Sequence, residues 1–235
     1  MRLAHPAYGQ LRAVTDTASV LLCDNPGLLT LEGTNTWILR ASGSDEFVVV
    51  DPGPDDAAHI ERIAALGKVA LVLISHRHGD HTDGIDKLVD LTGATVRSVG
   101  SGFLRGLGGP LTDGEVIEAA GLRITVLATP GHTADSVSFL LDDAVLTADT
   151  VLGRGTTVID DEDGSLRDYL ESLRRLAGLG ARTVLPGHGP DLPDIRDVAA
   201  MYLAHRQERL DQVRDALREL GQDAGARRIV AHVYT

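Results

Sequence analysis

The sequence predicts an α/β fold, and three observations indicate it. Short apolar runs that read as buried strands alternate with longer segments whose apolar residues recur at helical spacing. Several apolar runs end directly in polar loops that carry His or Asp. The chain has 235 residues, of which 43% are hydrophobic and 24% charged, and this suits one globular domain with a large core, alone or with a small appendage.

The first half of the chain predicts strands and helices in alternation. Residues 47–50 are a continuous apolar run that stops at a segment rich in Pro and Gly, which indicates a buried strand. Residues 55–66 predict a helix with one apolar face, and residues 71–75 predict the next strand. Residues 82–92 predict a second helix. Residues 103–110 are rich in Gly and predict a loop.

The second half repeats this organisation. Residues 124–127 and 183–184 read as strands. Ser165 and Asp168 have the spacing of a capping box, which predicts a helix through Leu176. The acidic run before it, residues 160–163, is interpreted as a solvated turn and not as a further metal site.

The longest helical segment, residues 198–220, carries an apolar stripe. Its members are Met201, Tyr202, Leu210, Val213, Leu217 and Leu220. Such a stripe usually packs on the core, and a homodimer surface is the alternative. Arginines and acidic residues interleave at helical spacing over residues 206–219, which favours a solvated, salt-bridged face over a nucleic-acid-binding patch.

Four side chains that can bind metal lie within six residues: His76, His78, Asp80 and His81. They follow the strand at residues 71–75, so they leave one strand end together on a loop held by the sheet. Imidazole and carboxylate are ligands for zinc, manganese or iron. A polar turn that happens to be rich in His is the alternative, but clustered imidazoles repel one another when protonated. We therefore interpret the run as a metal site.

Three later residues extend this interpretation. His132, Asp149 and His188 each follow a short apolar run and open a loop containing Gly or Thr. In open α/β sheets, functional sites gather beyond the carboxyl ends of strands. Each of these residues alone would be read as structural, but together with the first cluster they predict one common site.

These motifs resemble those of the metallo-β-lactamase superfamily, whose H-x-H-x-D-H core is matched in full by residues 76–81. The resemblance implies a four-layer αββα sandwich, here with a C-terminal helical appendage, and a dinuclear centre. The implied ligands are His76, His78 and His132 for one metal ion, Asp80, His81 and His188 for the other, and Asp149 as the bridge. The expected cofactors are two divalent metal ions, zinc first, with manganese and iron as alternatives.

The ligand set predicts a hydrolase. Two divalent metals lower the pKa of water and polarise a carbonyl or phosphoryl oxygen. Asp80 is the candidate catalytic residue, because it can orient the nucleophile or carry its proton. The expected reaction is hydrolysis of an ester, thioester, amide or phosphodiester.

A narrower resemblance is to the β-lactamase-like protein 2 family, near the glyoxalase II group. It is carried by residues 31–37, 51–53, 152–157 and 186–190. The animal member of that family is similar to an endoribonuclease that prefers single strands, and members usually end in a small winged-helix-like lobe. We therefore divide the chain into a metal-hydrolase domain, residues 1–195, and a helical segment, residues 196–235, interpreted as the start of a shortened lobe.

Four functions remain open at this point. The net charge of −12 favours a small-molecule hydrolase that acts on esters or thioesters over a protein that binds nucleic acid. The family resemblance favours an endoribonuclease that cleaves single-stranded RNA. A mononuclear iron persulfide dioxygenase shares the fold but uses fewer ligands, and a catalytically dead binding protein would be expected to have lost some.

Cysteine usage and hydropathy bear on the compartment. The one cysteine, Cys23, excludes a disulfide framework and reads as a small buried residue. We expect no signal peptide and no membrane span, because no apolar run approaches about 20 residues. The expected location is the cytoplasm.

Overall fold

The computed structural model describes residue 5 and residues 7–221 and 223–234. Its strands are β1 Leu11–Ala13, β2 Ala18–Leu22, β3 Asn35–Leu39, β4 Glu46–Val50, β5 Lys68–Leu73, β6 Val96–Arg97, β7 Val116–Ala119, β8 Leu122–Ala128, β9 Val137–Leu140, β10 Ala144–Ala148 and β11 Thr183–Pro186. Its α-helices are α1 Ala57–Ala65, α2 Gly79–Thr82, α3 Ile85–Thr92, α4 Leu166–Ala177, α5 Ile195–Leu220 and α6 Ala226–Val233, with one 3₁₀ turn at Ser101–Phe103.

The strands form two sheets. The first has the order β1-β2-β3-β4-β5-β6 and the second the order β11-β10-β9-β8-β7. Neighbouring strands are antiparallel in both sheets, except that β4, β5 and β6 run parallel to one another and β10 runs parallel to β11. Both sheets therefore contain parallel strands whose carboxyl ends meet at one edge.

Alternation along β4 shows how the layers are built. Val48 and Val50 point into the core between the two sheets, where they meet residues of the second sheet such as Phe139. Phe47 and Val49 point to the other face and pack against α1 and α3. A third cluster joins the outer face of the second sheet to α4 and the start of α5. The result is the four-layer αββα sandwich that the sequence motifs implied.

The carboxyl ends of the parallel strands position the site. Asp51 follows β4, and the loop with three of the histidines follows β5. Asp149 follows β10 and His188 follows β11. Residues far apart in sequence therefore converge on one end of the sandwich, as in other α/β folds.

Most of the predicted elements of the first half are confirmed, but the helix expected at residues 82–92 is wrong at its start. The structure has two helices there, α2 and α3, separated by a break at Gly84. The Gly84 N–H donates to the carbonyl of Gly53 at 2.9 Å. A Cβ at Gly84 would lie 2.5 Å from the Cδ1 of Ile60, so the chain needs glycine to pass close to α1.

Helix α4 begins as the capping box predicted, because the Ser165 Oγ accepts a hydrogen bond from the Asp168 N–H at 3.3 Å. Helix α5 begins three residues earlier than expected, with Asp194 as its N-cap. Tyr202 of the predicted stripe is buried in the third cluster, but Met201 is 57% exposed. Placing Met201 in that stripe was wrong, because the buried face of α5 runs through Val198, Ala199 and Tyr202.

Among the described residues, no helix is both long enough and apolar enough to span a bilayer. Cys23 is buried, as expected, and burial raises the pKa of its thiol to about 12. The division at residues 195 and 196 stays a prediction.

Candidate metal centre

Loops from both sheets bring seven side chains together, which we call the His/Asp cluster. Its members are His76, His78, Asp80, His81, His132, Asp149 and His188. These are the seven residues that the sequence predicted for one site. Within the cluster, two groups each have ligand atoms that lie within 4.8 Å of one another: His76, His78, His132 and Asp149, and Asp80, His81 and His188.

The first group is rich in imidazole. The Nδ1 atom of His78 lies 3.1 Å from His76 Nε2 and 3.0 Å from His132 Nε2. Asp149 completes the group, with its Oδ2 3.7 Å from His132 Nε2. Three nitrogens and one oxygen therefore point at one small volume.

The second group is more acidic. The Nε2 atoms of His81 and His188 lie 3.3 Å apart. The Oδ2 of Asp80 is 3.5 Å from His81 Nε2 and 3.2 Å from His188 Nε2.

Asp149 lies between the two groups. Its Oδ2 is 3.4 Å from His188 Nε2, and its Oδ1 is 3.5 Å from His81 Nε2. This Oδ1 is buried and has no hydrogen-bond partner. A buried carboxylate oxygen without a donor carries a desolvation cost, which a bound cation would offset.

The backbone around Asp149 allows its carboxylate and the neighbouring cluster side chains to approach one another closely. The residue before it, Ala148, has a φ of 45°, an unfavourable value for alanine that is found at functional sites. On the neighbouring strand end, a Cβ at Gly187 would lie 2.4 Å from Asp149 Oδ1 and 3.0 Å from His81 Cε1. Glycine is therefore the residue that lets these side chains meet.

Asp51 orients two imidazoles of the cluster, one directly and one through Ser75. Its Oδ2 accepts hydrogen bonds from His81 Nδ1 at 2.9 Å and from Ser75 Oγ at 2.6 Å. The Ser75 Oγ in turn accepts one from His76 Nδ1 at 2.9 Å. These bonds assign the proton of both rings to Nδ1 and leave each Nε2 lone pair facing the cluster. Asp51 and these two histidines also lie within 4.8 Å of one another, but the Asp51 oxygens are already engaged by donors.

The other three imidazoles have partners of the same kind. His78 donates from Nε2 to Asp160 Oδ2 at 2.7 Å, so its Nδ1 faces the cluster. His132 donates from Nδ1 to the Val158 carbonyl at 2.6 Å, and His188 donates from Nδ1 to the Gly33 carbonyl at 3.1 Å. All five rings therefore present a lone pair to the interior, which is the arrangement that a metal ligand requires.

Burial and charge act differently on the two groups. Burial holds the pKa of His76 well below its usual range and also lowers the pKa of His132, which favours the neutral form of both rings. Burial acts in the same direction on His188, but Asp149 and Asp80 outweigh it and raise the pKa of His188 to about 11. The acidic group therefore favours positive charge at its centre.

The donor set fits divalent metal. Nitrogen ligands about 2.0–2.1 Å from a tetrahedral zinc ion lie about 3.3 Å from one another. The nitrogen pairs of the cluster, at 3.0 to 3.3 Å, match that spacing. The lowered pKa values of His76 and His132, the two convergent carboxylates and the unpartnered, buried Asp149 oxygen are together the expected properties of such a site.

The sequence did not indicate Asp51 and Asp160 as functional residues. Asp51 read as a residue that stops a strand, and Asp160 as part of a solvated acidic turn. The rest of that turn is exposed, but the Asp160 side chain is only 13% exposed and also pairs with Arg77 at 3.2 Å. Its hydrogen bonds with the Glu162 N–H and His78 lower the pKa of Asp160 to about 2. Placing Asp160 in a solvated turn was wrong, because its carboxylate orients a cluster histidine.

The cluster lies at the base of a cleft of about 900 Å³. One wall is the segment of residues 28–31, and the other is the segment of residues 152–161. Several apolar side chains of these walls are exposed, with Leu28 at 94%, Leu29 at 65% and Val158 at 55%. The cleft therefore connects the cluster to the protein surface.

Comparison with known proteins agrees with this geometry. The family described as the Metallo-beta-lactamase superfamily matches residues 29–188. The fold and the His/Asp cluster define a metal-binding hydrolase, and the chain belongs to the metallo-beta-lactamase superfamily.

Two relatives and one solved structure show how far the similarity extends. The chain is 31% identical to the Beta-lactamase-like protein 2 homolog of Caenorhabditis elegans over 224 residues, covering 89% of this chain and 74% of that protein. It is 33% identical to the Atrochrysone carboxyl ACP thioesterase of Aspergillus fumigatus over 218 residues, covering 86% of this chain and 65% of that protein. A Beta-lactamase domain protein from Burkholderia ambifaria has the same fold, with a TM-score of 0.81 at 23% identity over 98% of this chain and 86% of that one.

Proposed function

We propose that the protein is a dinuclear metal hydrolase that cleaves ester-type bonds, with thioesters as the favoured class. The observation that carries the proposal is the position of Asp149, whose two oxygens face the histidines of both groups. In this proposal His76, His78 and His132 would hold one ion, Asp80, His81 and His188 would hold the other, and Asp149 would be shared by both. Zinc is the metal that we favour, because its ligand geometry matches the nitrogen spacing.

When bound, the two ions supply Lewis-acid polarisation of the substrate carbonyl and lower the pKa of water. The chain's own residues orient the reaction. Asp80 is the more accessible carboxylate of the cluster, with its side chain 28% exposed against 12% for Asp149. We assign to Asp80 the role of orienting the attacking water and carrying its proton.

The proposed reaction is the hydrolysis of a thioester by one water molecule. The water oxygen adds to the thioester carbon, and the carbon–sulfur bond breaks. One proton of water is carried by Asp80 to the departing thiolate, and the products are a carboxylic acid and a thiol. The carboxylates of Asp51 and Asp160 hold His81 and His78 in position during this exchange.

Charge at the cleft supports a small acyl substrate over RNA. Among the described residues that line the cleft, Arg154 is the one arginine or lysine, and it is paired with Glu32. Asp160 and Asp161 lie on the same rim. Nucleic-acid cleavage needs cations that neutralise several phosphates, so this rim favours an uncharged or apolar substrate. The similar protein of Aspergillus fumigatus is named a thioesterase, which is consistent with this class.

The experiment compares two substrates on zinc-loaded protein of known metal content. One is the acyl thioester of N-acetylcysteamine, and the other is a labelled single-stranded RNA. We expect thioester hydrolysis that falls at least about a hundredfold in the ligand variant His78→Ala. The matched control is His5→Ala, at an exposed histidine outside the cluster. RNA cleavage that His78→Ala abolishes, without thioester hydrolysis, would instead make the chain a ribonuclease.

A further inference from the structure

The walls of the cleft carry apolar side chains that the hydrolysis itself does not use. They are Leu28, Leu29 and Leu31 on one side and Val158 and Ile159 on the other, and we call them the apolar clasp. Single exposed apolar residues are common on protein surfaces and need no explanation. Here they face each other across the opening that leads to the His/Asp cluster.

The tip that carries Leu28 and Leu29 is held in place by hydrogen bonds. The Asn25 side chain accepts from the Thr34 N–H at 2.8 Å and donates to Thr34 Oγ1 at 2.9 Å. Thr30 Oγ1 donates to the Asn25 carbonyl at 2.7 Å, and the Gly27 N–H donates to the Leu31 carbonyl at 3.2 Å. The two exposed leucines therefore lie on a loop whose conformation is fixed by hydrogen bonds.

Leu31 connects this tip to the cluster. It has a φ of 54°, an unusual value for leucine that the surrounding hydrogen bonds must hold. Its Cδ1 lies 3.0 Å from the point where a Cβ of Gly189 would stand, directly after the ligand candidate His188. An apolar path therefore leads from the mouth of the cleft to its base.

The opposite wall is equally fixed. The Val158 carbonyl accepts the His132 Nδ1–H at 2.6 Å, and the Thr157 Oγ1 donates to the carbonyl of Asp149 at 2.8 Å. The side chain of Val158 is nevertheless 55% exposed. The backbone of this wall thus serves the cluster, while its apolar side chains face the cleft.

We infer that the apolar clasp binds the acyl chain of the substrate and sets a preference for medium-length apolar acyl groups. This inference rests on the proposed hydrolase function. The thioester carbon would lie over the cluster and the acyl chain along Leu31 toward Leu28 and Val158. Among the described residues of the lining, the one arginine or lysine is Arg154, which is already paired with Glu32, so the clasp itself carries no free arginine or lysine for an anionic chain.

The test uses N-acetylcysteamine thioesters with acetyl, butanoyl, hexanoyl and octanoyl groups on zinc-loaded protein. Burying one methylene fully is worth about fourfold in binding, and half-burial about twofold. Over six methylenes we expect kcat/KM to rise roughly 60-fold from acetyl to octanoyl on this basis. The variant Leu28→Ser/Leu29→Ser should reduce that ratio to below about tenfold, since it removes one wall.

The matched control is Leu107→Ser, because Leu107 is equally exposed but lies on the Gly-rich loop outside the cleft. This variant should keep the wild-type ratio. A ratio near one in the wild type, or a ratio that Leu28→Ser/Leu29→Ser leaves unchanged, would overturn the clasp.

A binding measurement separates the clasp from the hydrolase proposal. Thioether analogues, in which a methylene replaces the thioester carbonyl, are titrated calorimetrically into the same proteins. Tighter binding with chain length, weakened in Leu28→Ser/Leu29→Ser, would support the clasp even if no thioester were hydrolysed. Hydrolysis of all thioesters at equal kcat/KM, with no length dependence in binding, would overturn the clasp and leave the hydrolase standing.

Discussion

At the scale of single residues, the site depends on side chains that would not touch metal. Asp51 holds His81 directly and His76 through Ser75. We predict that Asp51→Asn lowers zinc affinity about 10- to 100-fold, because the amide has one acceptor oxygen for donors that now share two. Competition against a chelator measures the zinc affinity, and Asp45→Asn, at an exposed aspartate outside the cluster, is the control. Unchanged zinc affinity in Asp51→Asn would show that Asp51 does not orient these rings.

Asp160 allows a more selective version of this experiment. Its carboxylate hydrogen-bonds one cluster residue, His78, and its backbone N–H donates to the His132 carbonyl of the same group, so a side-chain substitution acts on His78 and on no member of the acidic group. We predict that Asp160→Asn weakens the binding of one zinc ion of the two by about tenfold and leaves the other unchanged. Two-step zinc titration measures both affinities. Equal weakening of both steps would contradict the separate roles of the two groups.

Gly187 is required for steric reasons alone. A Cβ at this position would lie 2.4 Å from the Asp149 carboxylate, so Gly187→Ala should displace Asp149 or His81 and lower metal content and activity together. Gly102→Ala is the matched control, because a Cβ there meets no atom within 4 Å. The measurement is zinc per chain after gel filtration. Full zinc content and activity in Gly187→Ala would show that the site tolerates the methyl group.

The seven cluster residues could be predicted because each follows an apolar strand within a few residues, and strand ends converge in such sheets. Asp51 obeys the same geometry but lacks a local signal, and Asp160 lies in the long loop between β10 and α4, away from any strand end. An aspartate before Pro-Gly, or within an acidic run, is usually a turn residue. What distinguishes these two is a contact with a histidine 30 or 82 positions away, which only the fold reveals.

At the scale of elements, the C-terminal helix supports the site from outside. Arg206 of α5 donates to the Thr157 carbonyl, and its guanidinium lies 5.2 Å from the centre of the Tyr169 ring. Thr157 in turn donates to the carbonyl of Asp149. Helix α5 is thereby connected to the wall of the cleft and to the backbone of Asp149.

We predict that Arg206→Met costs about 1–3 kcal/mol of unfolding free energy, since it leaves the Thr157 carbonyl without its donor. It should also lower kcat/KM, because the wall that holds His132 loosens. Urea unfolding and thioester turnover measure the two effects. Arg218→Gln is the control, on the same helix but in an exposed pair with Asp215, where we expect no change. Identical behaviour of the two variants would contradict the support from α5.

The elements themselves were predictable where the signal was local. The Ser165 cap and the apolar run of β4 depend on a few adjacent residues, and both were confirmed. The break at Gly84 and the exposure of Met201 depend on what packs against the helix. A helical pattern cannot reveal a neighbour such as Ile60, which comes close to the backbone at Gly84.

At the scale of the whole molecule, the sandwich could be inferred from the motifs and not from the strands. The continuous apolar run of β4 indicates burial on both faces, but not whether a sheet or a helix covers each face. The family resemblance supplied the order of the layers. The two clusters on opposite faces of β4 confirm that order, because the second sheet covers one face and helices cover the other.

A buried histidine outside the cluster makes global stability depend on pH. Burial lowers the pKa of His59 to about 4, and its ring contacts Thr36 behind the site. Its unfolded pKa is about 6.5, so the unfolded chain takes up the proton first as pH falls. This contribution to stability is therefore fully present above pH 6.5 and is lost between pH 6.5 and 4. By pH 5 the loss from this group is about 2 kcal/mol.

Urea unfolding at pH 7 and pH 5 tests this prediction. Between pH 7 and pH 5, the unfolding free energy of His59→Gln should fall by about 2 kcal/mol less than that of the wild type, whatever the stability of the variant at pH 7. The exposed His5→Gln should keep the wild-type decrease. Equal decreases in the wild type and in His59→Gln would show that His59 does not contribute.

The central claim is a dinuclear centre bridged by Asp149, and metal content measured together with thioester turnover tests it most directly. Elemental analysis of zinc-equilibrated protein should give two zinc ions per chain. In Asp149→Ala it should give about one or fewer, with turnover reduced at least about a hundredfold, while the exposed Asp45→Ala keeps both values. Asp149→Ala with two zinc ions and full turnover would contradict the dinuclear account.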